Sequence, residues 1–168
     1  MKPFLVLGIG NLLHCDDGAG IHAVNLLLDS GLLPDWVEAI DTGTCALDLP
    51  ALVAGRERII AIDTVKAPGP AGSVYRFPAL YLTNATDSLF AVHEASLAGA
   101  LAAVRALGER PQAEIVGIVP ADVESMAAEL TPAVKAALAE VVALVHSIIR
   151  EYATTSSNTA SAEGTTAR

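Results

Sequence analysis

Cysteine is nearly absent. The 168 residues hold two, Cys15 and Cys45, in neither a C-x-x-C pair nor a secreted-type framework. A disulfide-stapled fold is excluded, and a reducing cytoplasm is the expected compartment. Basic residues are scarce as well, ten Lys and Arg against nineteen Asp and Glu, for a formal net charge of −9. Nucleic acid and anionic membranes require clustered Lys and Arg to displace counterions. The ten here are scattered, so neither nucleic acid nor a membrane is an expected partner, and a protein or a small molecule is. No uninterrupted run approaches the roughly 20 apolar residues of a membrane span. No small-residue cleavage site follows the opening MKPFLVLGIGN, so no targeting segment is expected. No serine lies between paired glycines, which removes the Gly-x-Ser-x-Gly elbow of a general α/β hydrolase.

What the chain has in quantity is apolar sequence, 52% of positions, enough for one well-buried domain. Short Val- and Ile-rich runs read as buried strands at 4–9, 36–40, 58–63, 73–77 and 113–119. Between them lie helical spacings, Ile21, Val24, Leu27 and Leu28, then Leu97, Leu101, Val104 and Leu107. A final helix begins at Thr131 as N-cap with Pro132 in the first position, and Val134, Leu138, Val141, Val145 and Ile148 form its stripe. This alternation predicts a single α/β domain, a mostly parallel, mixed five-stranded sheet with helices on both faces. The Pro/Gly-rich link between the third and fourth strands is too short for a crossover helix and reads as a hairpin, with the antiparallel strand at an edge. The domain spans 1–153. Residues 154–168, ATTSSNTASAEGTTAR without the first Ala, contain no aromatic or large aliphatic residue and read as a disordered Ser/Thr-rich tail.

In parallel α/β sheets ligands bind outside the carboxyl ends of the strands. Polar residues stand there in LGIGNLLHCDDGAG (7–20), in DTGTC (41–45), at Asp63 and in PADVE (120–124), and His93 opens a helix that can reach the same rim. Gly8 and Gly10 begin a dinucleotide-type turn, but Leu13 occupies the third glycine position and acids follow where a pyrophosphate needs bare amides. Asp41-Thr42-Gly43 spells the motif of aspartic proteases, which need two such carboxylates sharing a proton; there is no second copy. Asp17, Asp63 and His93 together offer two carboxylates and an imidazole, a set suited to nickel or zinc with positions left open for substrate. The plainer uses stand beside it: Asp16 or Asp17 as a helix cap, Asp63 as a turn residue, His93 bound to backbone, and the cysteines as small buried side chains.

Taken in order, LVLGIGNLLHCDDGAG, EAIDTGTCALDLP, ERIIAIDTVKAPGPAGSVYRF, HEASLAGALAAVRALGERP and EIVGIVPADVE closely resemble the nickel-iron hydrogenase maturation endopeptidases, from residue 3 to about 150. The resemblance implies an enzyme that removes a C-terminal extension from the precursor of the hydrogenase large subunit once nickel is inserted. It further implies that the nickel is supplied by the substrate and that no tightly bound cofactor is expected in the resting enzyme. The metal ligands implied are Asp17, Asp63 and His93; relatives often carry Glu at the first, and Asp17 is one methylene shorter. The glycines let the chain turn at the strand end, Asn11 ties the loop, and Asp16 caps the helix, leaving Asp17 to face the rim. Asp41 is expected either to assist peptide hydrolysis or to shape the cleft through an Asx turn with Gly43 at positive φ. The alternative from another class is a non-catalytic nickel-binding maturation chaperone on the same precursor.

Overall fold

The computed structural model describes residues 1–44, 48–84 and 92–163, and the side chains of these apart from 82–84, 92–96 and 156–163. Five strands, β1 (Phe4–Ile9), β2 (Val37–Gly43), β3 (Arg58–Thr64), β4 (Val74–Pro78) and β5 (Gln112–Ile118), form one sheet in the order β2-β1-β3-β5-β4. All neighbours are parallel except β4, which runs antiparallel to β5 at the edge. The helices are α1 (Ala19–Asp29), the short α2 (Leu49–Val53), α3 (Val92–Ala106) and α4 (Pro132–Glu163).

Side chains alternate across a strand, so each strand feeds two cores. Phe4, Val6, Ile60 and Ile62 point to the face covered by α1 and α4, where Val24, Leu27, Val134, Leu138, Val141, Val145 and Ile148 are buried. Leu5, Leu7, Ile59 and Ala61 point to the other face, under α2 and α3, against Leu49, Leu97 and Leu101. This double burial is why β1 and β3 are apolar without alternation. In the helical stripes two positions fall outside the core: Leu28 and Leu107 are exposed, and Ala100 is buried in α3 instead.

The link from β3 to β4 does not close a hairpin. β5 lies between the two strands, pairing with β3 on one edge and β4 on the other. Val65 N–H donates to the Ile118 carbonyl, Gly72 N–H to Val119, and Val119 N–H to Ser73, so the link arches over the carboxyl end of β5. The reason is burial: β3 is apolar on both faces and needs a partner on each edge. β4 carries exposed Tyr75 and Arg76 and ends in Pro78, which suits only an edge.

The backbone of α4 continues past residue 153 to Glu163, beyond the domain boundary that composition indicates. Thr154 and Thr155 hydroxyls donate back to the carbonyls of Arg150 and Glu151, a bond local to the helix that needs no core. Over Pro132–Thr155 the helix is long and apolar enough by composition to cross a membrane. Its apolar stripe is buried on the sheet, as in the core helix of a globular domain.

Candidate active site at the carboxyl rim of the sheet

β1 ends at Ile9, and the chain leaves the sheet through Gly10 at φ 143°. A Cβ there would lie 1.8 Å from the Asp17 carbonyl oxygen, so only glycine fits. Gly10 N–H donates to Gly43, Asn11 N–H to Asp17, and the Asn11 side-chain oxygen accepts from Leu13 N–H at 3.0 Å. Gly8 does not turn the chain. It lies inside β1, and its missing Cβ admits the Gly20 carbonyl and Val24 of α1, which a methyl would meet at 2.5 and 2.6 Å. A Cβ on Gly20 would meet the carbonyls of Ile62 at 2.2 Å and Ile9 at 2.3 Å. The first turn of α1 therefore seats directly on the ends of β1 and β3, and carries the 3-10 turn Cys15–Gly18 onto the rim.

Asp16 is fully buried and does not cap α1. One carboxylate oxygen accepts from Thr131 N–H at 2.7 Å; the other accepts from Ala121 N–H at 2.8 Å, Asp122 N–H at 3.0 Å and the Thr131 hydroxyl at 2.9 Å. Four donors satisfy the charge in place of water. The Thr131 carbonyl accepts the first bond of α4 from Lys135, so Thr131 is the N-cap residue, but its hydroxyl serves Asp16. One buried carboxylate thus pins the loop after β1, the loop after β5 and the start of α4. Cys15 just before it adopts φ 47°, costly for a residue with a side chain, and is held by its N–H to Ala127 (2.7 Å) and its thiol to the Glu129 carbonyl (3.3 Å).

With Asp16 committed inward, the adjacent Asp17 is half-buried and lines a cleft of about 60 Å³ with Thr64, Val65, Lys66, Pro120 and Val123. Asp63 is buried near the end of β3, and its carboxylate accepts from Thr64 N–H at 2.7 Å. By alternation with Ile59 and Ala61 it belongs to the α3 side of the sheet. His93 is the second residue of α3; its side chain lies outside the described residues, as does Cys45. The far end of α3 is fixed: after it, Glu109 accepts from Gly55 N–H and Gln112 N–H donates to Glu57, both at the amino ends of the strands. A 15-residue helix spans about 22 Å, about the length of the seven-residue strand β5. The first turn of α3 therefore comes up to the rim.

Asp41 stands on β2, next to β1 at the sheet edge. It pairs in register with Gly8, on the α1 side of the sheet, and β1 separates its strand from β3. Its carboxylate accepts from Gly43 N–H at 2.8 Å with Gly43 at φ 52°, the Asx turn. Among the described residues no three His, Cys, Asp or Glu side chains converge as a ligand cluster. A wider cleft of about 710 Å³ lies at the opposite end of the sheet, lined by Arg58, Glu109, Arg110 and Glu151 among others. Sequence reasoning missed the grip of Asp16 on residues 121–131. Its partners are mostly backbone amides more than 100 residues away, which leave no pattern in side-chain identity.

Residues 21–148 match the family model described as hydrogenase maturation protease. The Hydrogenase 2 maturation protease of Escherichia coli (strain K12) is 33% identical over 154 residues, covering 88% of this chain and 90% of the relative. The hydrogenase expression/formation protein HupD of Bradyrhizobium diazoefficiens is 30% identical over 90% of this chain and 80% of its own. Among solved structures, the hydrogenase maturating endopeptidase HybD from E. coli superposes with a TM-score of 0.78 at 31% identity, covering 90% of this chain and 94% of that one. With the fold and the sequence in agreement, the chain belongs to the hydrogenase maturation protease family.

Proposed function

We propose that this protein is a cytoplasmic endopeptidase that removes the C-terminal extension of a nickel-iron hydrogenase large-subunit precursor after nickel insertion, with the precursor's nickel as its recognition mark. The observation that carries this reading is the division of labour between adjacent acids. Asp16 is spent on four inward hydrogen bonds, while Asp17 lines the rim cleft beside the end of β3. Asp17, Asp63 and His93 are the side chains proposed to lend oxygen and nitrogen ligands to the substrate's nickel. Two carboxylates and an imidazole suit a borderline divalent ion and leave positions for the substrate's own ligands. Nickel in that setting supplies Lewis-acid polarisation of a carbonyl or water. Asp41 holds the turn after β2 rather than moving a proton, a role supported by its bond to Gly43.

The test is cleavage of a nickel-loaded precursor by the wild type and by Asp17→Asn, Asp63→Asn and His93→Ala, with complex formation followed in parallel. Loss of cleavage with complex formation retained is expected for each. If all three variants cut normally, the site is wrong. If the wild type binds the cognate precursor and never shortens it, the nickel-binding chaperone is the better account.

A further inference from the structure

Four large apolar side chains stand in solvent next to the Asp17 cleft: Leu12, Leu13, Val123 and Met126, with Leu13 61% and Met126 80% exposed. They come from two segments zipped by backbone hydrogen bonds. Ala127 N–H donates to Leu13 at 3.1 Å, Cys15 N–H to Ala127 at 2.7 Å and Asp16 N–H to Asp122 at 2.9 Å, and His14 pairs in parallel with Ala127. The Asp16 carboxylate fastens the same two segments from below. The result is a single platform, preorganised before anything binds, and Val123 belongs both to it and to the wall of the cleft.

Its charge has one sign. Residues 11–18 and 120–131 contain no Lys or Arg; with Asp16 buried on its inward hydrogen bonds, Asp17, Asp122, Glu124 and Glu129 are the platform's charged groups, and the basic Lys66 belongs to the adjoining cleft. The Asp122 carboxyl is held below its ordinary value by the Ser125 hydroxyl and the N–H groups of Ser125 and Glu124. A second copy of this chain docked face to face would set these acids against each other, and an anionic lipid surface would be repelled. A polypeptide carrying apolar and basic side chains fits.

We infer that this platform docks the stretch of hydrogenase large-subunit precursor next to the cut, with an apolar side chain on Leu13 and Met126 and a basic one against Asp122 and Glu124. The inference rests on the proposed function, since a peptide held for cleavage at the Asp17 cleft continues across Val123 onto the platform. Contacts made equally in the ground and transition states lower KM and leave kcat alone.

The experiment is steady-state cleavage of the nickel-loaded precursor by the wild type, the Leu13→Ser/Met126→Ser double variant, Glu124→Gln, and Leu32→Ser as a control at the far end of α1. The double variant is expected to raise KM about tenfold with kcat near wild type. Glu124→Gln is expected to flatten the rise of KM with salt, and Leu32→Ser to behave as wild type. An unchanged KM in the double variant overturns the platform, as does a fall in kcat alone or an equal rise in KM from Leu32→Ser. A wild type that leaves the precursor uncut overturns the endopeptidase reading itself, and the platform with it.

Discussion

Asp16 and Asp17 are neighbours with the same side chain and opposite fates, because a 3-10 turn directs one into the protein and the other to the rim. Asp16→Asn turns one acceptor into a donor facing buried N–H groups, so it should cost about 2–4 kcal/mol of stability by urea denaturation. Asp17→Asn should cost far less in the same measurement and instead abolish cleavage. A reversed ranking would mean that the structural and catalytic acids have been exchanged. Asp41 gives a separate contrast: Asn keeps the side-chain oxygen that accepts from Gly43 N–H, so Asp41→Asn should cleave within about threefold of wild type. A loss of several hundredfold would restore Asp41 as a proton-transfer group. At this scale the places of Asp17, in the loop after β1, and of Asp63, near the end of β3, are legible from the apolar runs that precede them. The commitment of Asp16 is not, since it depends on amides at 121, 122 and 131 that only folding brings near.

Element placement explains why the rim is where it is. α1 approaches β1 and β3 closely enough that Gly8 and Gly20 have no room for a methyl. Gly20→Ala is therefore expected to destabilise by about 1–3 kcal/mol or more, as overpacking against backbone does, and to displace the 3-10 turn with a loss of activity. Near-wild-type stability would show that α1 can slide. In the loop after β5, Asp122 accepts from Glu124 and Ser125 N–H groups while charged. A carboxyl whose value is lowered on folding stabilises above its unfolded value and loses that contribution as pH falls through the folded one. The protection of the Glu124 and Ser125 amides, taken as the intrinsic exchange rate divided by the observed rate at each pH, should accordingly fall as pH drops below the ordinary carboxylate range and hold steady above it; a flat protection profile would contradict the loop's dependence on this charge. Strand positions were readable from apolar runs, since β1, β3 and β5 are buried on both faces. The partner of β4 was not: a Pro/Gly link of nine residues looks the same whether it closes a hairpin or arches over an intervening strand.

Across the whole molecule the candidate site lies at one end of the sheet and, among the described residues, the ion pairs lie toward the other. Arg58 and Arg76 both bridge Glu114, and Arg76 also bridges Glu151, near the wide cleft opposite the rim. These pairs hold the Arg76 guanidinium above its ordinary value and the Glu151 carboxyl below its own. The rim has instead a half-buried carboxylate in a cleft shared with Lys66, beside the exposed Leu13 and Met126. The central claim is that this end of the molecule cuts a precursor only after nickel has arrived. Mass spectrometry of a cognate large-subunit precursor, incubated with this protein with and without nickel loaded, tests it most directly. The account predicts loss of the C-terminal peptide from the nickel-loaded sample alone. Equal cleavage of both samples would contradict nickel recognition, and an unchanged mass in a precursor that binds the protein would contradict the protease.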